Sequence, residues 1–189
     1  MLPVGFIFVA VALRLIGGFA YLSAVIRGKA QPYPLSWLLW GITPMIAFAA
    51  EINAGVGPSS LVTFTLGVTP LMVFISAMLK NPKWLKLDAL NMVCGLIAVG
   101  GIILWLLTDE PVLAIVISII ADFFSGLPTI RKTIKRPRSE YAPTYLMSAL
   151  AMVVTIFAVQ SWSFAAGAFP IYVLTVNLFM VWIITTRRK

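Results

Sequence analysis

Read from the N-terminus, the chain is a series of long apolar runs separated by short polar breaks. The runs fall near 2–27, 34–53, 58–80, 88–107, 111–134, 141–161 and 165–186. Each is close to the roughly 20 residues that a helix needs to cross a bilayer. The pattern predicts an all-α, polytopic membrane protein with seven transmembrane helices. The first run is read as a resident helix, because Met1-Leu2-Pro3 offers no basic leader and the run is longer than the apolar stretch of a signal peptide.

Composition narrows the class further. Of 189 residues, 61% are hydrophobic and 11% charged, with a mean hydropathy of +1.01. So few charges cannot cover a soluble domain of this size, which sets aside soluble enzymes, nucleic-acid binders and disordered chains. A single cysteine, Cys94, excludes an internal disulfide, and without histidine a conventional zinc or redox site is not expected.

Charge adds direction. Taken by alternate loops, 13 of the 14 basic residues fall on one side: Arg27 and Lys29, then Lys80, Lys83 and Lys86, then Arg131, Lys132, Lys135, Arg136 and Arg138, and finally Arg187, Arg188 and Lys189. Asp88 and Glu140 join them, while Glu51, Asp109 and Glu110 fall on the other side with no basic residue. The positive-inside rule then predicts an N-terminus outside and a C-terminus in the cytoplasm, in a prokaryotic cytoplasmic membrane. Trp37, Trp84 and Trp182 toward one end and Trp105 and Trp162 toward the other are read as an interfacial belt, with Trp40 deeper in its helix.

Sliding the sequence 108 positions along itself aligns 14–80 with 122–188 without a gap. Gly18 meets Gly126, Tyr33 meets Tyr141, Leu66 meets Leu174 and Met72 meets Met180; Ser36-Trp37 falls on Thr144-Tyr145. The predicted units are a first three-helix bundle over 1–80, a linker helix within 81–110 and a second bundle over 111–189. One extra crossing makes the two bundles parallel repeats, related by an axis along the membrane normal.

This three-plus-one-plus-three arrangement resembles the SWEET and PQ-loop group of membrane transporters, which includes the half-sized SemiSWEETs. Pro128-Thr129, followed by Ile130-Arg131-Lys132-Thr133-Ile134-Lys135-Arg136, is similar to that group's Pro-Gln pair and basic stretch; the aligned pair in the first half is Ala20-Tyr21. The resemblance implies alternating access of two bundles around a midplane site, with sugar as the leading substrate class. It also implies a substrate-binding asparagine in the third helix of a unit, which Asn177 matches and Thr69 does not.

Away from the ends of the apolar runs only Arg14 and Asp122 are charged, each about midway along its span, and they occupy the same repeat position. Intramembrane charges are expensive and mark function by default. The two are expected to approach as an ion pair, serving either the transport path, including proton coupling through Asp122, or the bundle's structure alone. Trp40 and its equivalent Ser148 could stack and hydrogen-bond a solute, and Tyr21, Thr129 and Tyr172 would extend the path. Pro44, Pro70, Pro128 and Pro143 are candidate hinges or sites of fixed curvature. Gly17, Gly18, Gly95, Gly100, Gly101 and Gly126 are read as packing positions.

No nucleophile–base pair, metal cluster or phosphate-binding loop appears in the sequence, so no enzyme activity, cofactor or metal is expected. The expected partners are a small-molecule solute and the lipid bilayer, not nucleic acid, with a homo-oligomer left open. The competing expectation is a non-transporting receptor or scaffold of the same fold that binds a small ligand or peptide.

Overall fold

A computed structural model of the chain describes residues 3–53, 60–85, 89–107, 111–158, 162 and 164–187. Lys86, Asp88, Asp109, Glu110, Arg188 and Lys189 lie outside the described residues, as do the side chains of Glu51 and Trp105. Among the described residues the chain forms seven α-helices and no strand: α1 (Ile7–Ile26), α2 (Pro34–Asn53), α3 (Ser60–Lys80), α4 (Ala89–Leu106), α5 (Pro111–Lys135), α6 (Ala142–Ala158) and α7 (Phe164–Thr186). Short 3-10 turns at Val4–Phe6, Pro82–Trp84 and Pro137–Ser139 join or precede them.

Local chemistry sets several of these ends. α2 and α5 open on proline, and Pro143 is the second residue of α6. In a first turn the missing N–H would have had no helical acceptor in any case. Pro143 therefore starts a helix and does not interrupt one. α1 ends on Gly28, whose φ of 72° suits a residue without Cβ. There the Lys29 N–H donates to the Ala24 carbonyl at 2.8 Å and the Gly28 N–H to Val25, which closes the helix with paired carbonyls.

Among the described residues, three segments, Ile7–Ile26, Leu61–Lys80 and Gly167–Thr186, are long and apolar enough to cross a membrane. The 17 residues of α6 are apolar but shorter, reaching about 25 Å against a hydrocarbon layer of about 30 Å. The outside of the bundle is apolar: Phe8, Ile16 and Phe19 on α1, Leu96 and Leu104 on α4, Phe157 on α6 and Ile171 on α7 are all exposed. An apolar surface that broad suits lipid and not water.

The helices pack in a repeating order. α3 contacts both α1 and α2, and α7 contacts both α5 and α6; α1 lies against α6, and α2 against α5. α4 rests on α5, with a lesser contact to α2. Between apolar helices in lipid, close approach and hydrogen bonds replace the hydrophobic effect as the source of cohesion. At Gly17 a Cβ would fall 2.9 Å from Met147 Cβ and 3.2 Å from the Thr144 carbonyl, and the Thr144 hydroxyl donates to the Gly17 carbonyl at 2.9 Å. By contrast, a Cβ on Gly100 would meet nothing within 4 Å and one on Gly95 only an ordinary contact, so these two are not packing positions.

The main core gathers Tyr21, Val25, Trp37, Val73, Ile130, Tyr145, Met180 and Ile184, drawn from every helix except α4. It sits at the end that carries the basic connections. There the Gln31 N–H donates to the Ser139 carbonyl at 2.8 Å, and Lys80 Nζ donates to the Ile26 carbonyl at 2.7 Å. Trp37 is 6% exposed, with its ring centroid 4.4 Å from that of Tyr21. It belongs to this core and not to an interfacial belt, because Tyr21 and Trp40 on either side give the indole aromatic neighbours. Trp162 and Trp182 are exposed as a belt requires. A smaller cluster of Ala10, Ala151 and Met152 lies nearer the other end.

Candidate functional site

Along α1 the small cluster gives way to Arg14 and Gly18 before the main core begins at Tyr21. At that level a cavity of about 110 Å³ opens between the halves of the chain, with room for a few water molecules. Arg14, Trp40, Thr69, Asp122, Ser148 and Asn177 all line it, together with the helix-interior prolines Pro44 and Pro70. Leu66, Phe169, Val173 and Val176 supply apolar wall.

Four pairs in this lining are related by the shift of 108: Arg14 with Asp122, Trp37 with Tyr145, Trp40 with Ser148, and Thr69 with Asn177. The polar contacts repeat as well. Arg14 Nη1 donates to Ser148 Oγ at 2.5 Å. The same positions in the reverse sense bring Trp40 Nε1 to the Asp122 carbonyl at 3.3 Å. Gly126 permits this second contact, since a Cβ there would fall 2.7 Å from the Trp40 ring.

Arg14 and Asp122 do not form the expected ion pair. Among the described residues the ion pair is Lys132–Glu140. The physical reason is that each charge is taken up by a neutral partner on a neighbouring helix: Arg14 by Ser148, and Asp122 by the Tyr172 hydroxyl, which donates to Oδ2 at 2.8 Å. Nε of Arg14 is buried without a partner among the described residues.

Asn177 and Thr69, which also line the cavity, bond within their own helices. Asn177 Nδ2 donates to the Val173 carbonyl at 2.7 Å, which leaves its Oδ1 as the amide's acceptor, and Thr69 Oγ1 donates to the Thr65 carbonyl at 2.8 Å. Pro44 and Pro70 add backbone acceptors. Each removes the N–H that the carbonyl four residues earlier would meet in an unbroken helix, and those carbonyls belong to Trp40 and Leu66, two residues of the cavity lining.

Two expected path residues lie elsewhere. Tyr21 is fully buried in the main core, and Thr129 is fully buried with its hydroxyl unpartnered. Neither lines the cavity, because the core has closed over that level of the bundle. Pro128 is inside α5 but likewise not at the cavity.

What closes the core is a residue that reads in sequence as an ordinary loop charge. Glu140, fully buried, accepts from Tyr21 Oη at 2.6 Å, from Tyr145 Oη at 2.9 Å and from Lys132 Nζ at 2.5 Å. Lys132 also donates to the Gln31 carbonyl. Tyr21 and Gln31 come from the first half of the chain, and Lys132, Glu140 and Tyr145 from the second. The signal available in sequence was a lone acid in a basic loop, flanked by Tyr141 and Tyr145.

No family model, curated protein or solved structure matches the chain.

Proposed function

We propose that the chain is a multi-pass membrane transporter of a small polar solute. It is built as two parallel three-helix units, α1–α3 and α5–α7, with α4 as the linker, in the manner of the SWEET and PQ-loop group that it resembles. The N-terminus lies outside and the C-terminus in the cytoplasm of a prokaryotic inner membrane. The two units rock about the cavity at their junction to expose it to either side.

The observation that carries this reading is the paired lining of the cavity. Four residue pairs related by one sequence shift surround it, and the contact Arg14–Ser148 recurs as Asp122–Trp40. A repeat that served packing alone would have no need to gather its polar members at one cavity; transporters built from repeats place their sites there. The lining also combines apolar wall with a few polar groups, as small-molecule sites do. At about 110 Å³ the cavity is below the roughly 300–1,000 Å³ of sites for drug-sized ligands, so the solute is small.

Closure of the basic end by the Glu140 cluster favours one competing reading, a receptor that binds from the opposite side and does not release through the core. Uptake into proteoliposomes separates the two. Purified protein is tested with a panel of labelled sugars, amino acids and vitamin precursors. Saturable uptake of one class, lowered at least about tenfold by Asn177→Ala through loss of a buried hydrogen-bonding group, is the expected result. Binding with no flux of any solute supports the receptor and ends the transport reading.

A further inference from the structure

Arg14 and Asp122 are opposite charges that share one cavity and act on each other at a distance without a direct ion pair, and the hydrogen bond that each charged group makes goes to a neutral side chain, Ser148 or Tyr172. In an apolar setting such charges are poorly compensated: a hydroxyl supplies a dipole where a counter-charge is wanted. A neutral solute such as a sugar leaves both in that condition. A monovalent ion compensates one and brings net charge into the bundle. A zwitterion compensates both and keeps the cavity neutral.

We infer that the cavity takes a small zwitterion of the amino-acid type, its carboxylate toward the Arg14 guanidinium and its ammonium toward the Asp122 carboxylate. This rests on the proposed solute site and names its substrate class. The chemistry on each side is suited to its end of the ligand. A guanidinium presents a planar fork that matches a carboxylate, and Arg14 engages only Ser148 among the described partners. An ammonium brings three donors, and the Asp122 carboxylate and the Asn177 amide oxygen are acceptors among the side chains that line the cavity. The remaining wall is apolar, and a volume of about 110 Å³ limits the ligand to a short side chain.

The test is binding to the full chain in detergent or nanodiscs, followed by calorimetry, with glycine, L-alanine and L-serine as probes. Propionate, ethylammonium and glucose carry the acid alone, the amine alone and neither. The zwitterions should bind saturably and at least about tenfold more tightly than any of these three, the size expected from one charge-assisted contact. Arg14→Gln and Asp122→Asn should each remove at least about tenfold in affinity for alanine. The analogue series on the unaltered chain decides the matter even where a variant fails to fold. If none of the three amino acids binds more tightly than propionate, ethylammonium and glucose, or if both variants keep the parent affinity for alanine, the zwitterion assignment is wrong. Alanine binding without uptake retains the assignment and removes transport; glucose uptake without amino-acid binding does the reverse.

Discussion

Glu140 is fully buried in a connection that is otherwise basic, and its oxygens are taken up by Tyr21, Tyr145 and Lys132. Removing the carboxylate charge leaves Lys132 without its counter-ion, and breaking a buried pair from one side is far more damaging than replacing both partners. Lys132 is 17% exposed, so water relieves part of the loss, and Glu140→Gln should lower stability by about 3 kcal/mol, near the low end for such changes. Unfolding in detergent, followed by tryptophan fluorescence, measures it. The double change Glu140→Gln with Lys132→Met should recover part of the loss; a double variant no more stable than the single one would show that charge is not the cause. The contrast with Arg14 and Asp122 says what was legible at this scale. A charge inside an apolar run is conspicuous in sequence, whereas the burial of Glu140 depends on Tyr21 arriving from 119 residues away. Sequence placed Arg14 and Asp122 at one site but could not foresee that Ser148 and Tyr172 would separate their charges.

Among the elements, helix ends were the most legible part of the fold. Apolar runs ending at 27, 53 and 80 correspond to helices ending at Ile26, Asn53 and Lys80, because proline, glycine and basic residues stop a helix through local chemistry. Helix contacts were less legible, since a glycine looks the same in sequence whether or not a neighbour lies over it. Gly17 and Gly100 illustrate this. A Cβ at Gly17 falls 2.9 Å from Met147 Cβ and 3.2 Å from a backbone carbonyl, so Gly17→Ala must push α1 from α6 and stretch the Thr144 hydrogen bond. Overpacking of this kind costs about 1–3 kcal/mol. A Cβ at Gly100 meets nothing, and Gly100→Ala should stabilise by up to about 1 kcal/mol through helix propensity. Thermal unfolding of both variants in one detergent checks the difference in sign. Equal losses would mean that α1 and α6 do not approach as closely as described.

For the whole molecule, the question is what holds the basic end shut. The two halves repeat only some of their contacts. Thr144 Oγ1 bonds the Gly17 carbonyl between α6 and α1, whereas its repeat equivalent Ser36 on α2 is fully buried with Oγ unpartnered. Nor does Glu140 have an acidic counterpart, since the shift of 108 places Pro32 there. In the transport cycle proposed above, closure would rest on one cluster from the second half that holds Tyr21 and Gln31 of the first. Tyr21→Phe isolates that link, because it keeps the ring against Trp37 and removes only the hydroxyl that donates to Glu140. A hydrogen bond to a carboxylate contributes about 1.5 kcal/mol at the low end, which corresponds to roughly tenfold in the ratio of closed to open molecules. Ser36→Cys, in a chain whose own thiol is removed by Cys94→Ala, reports on this ratio from inside the core. In vesicles of known orientation, a membrane-impermeant maleimide applied on the basic side should label that thiol roughly tenfold faster once Tyr21→Phe is added. Labelling from the opposite side should not change, since the cluster sits at the basic end. If neither Tyr21→Phe nor Tyr145→Phe speeds labelling, closure comes from the packing of Val25, Val73, Met180 and Ile184 around the rings, and Glu140 serves stability alone.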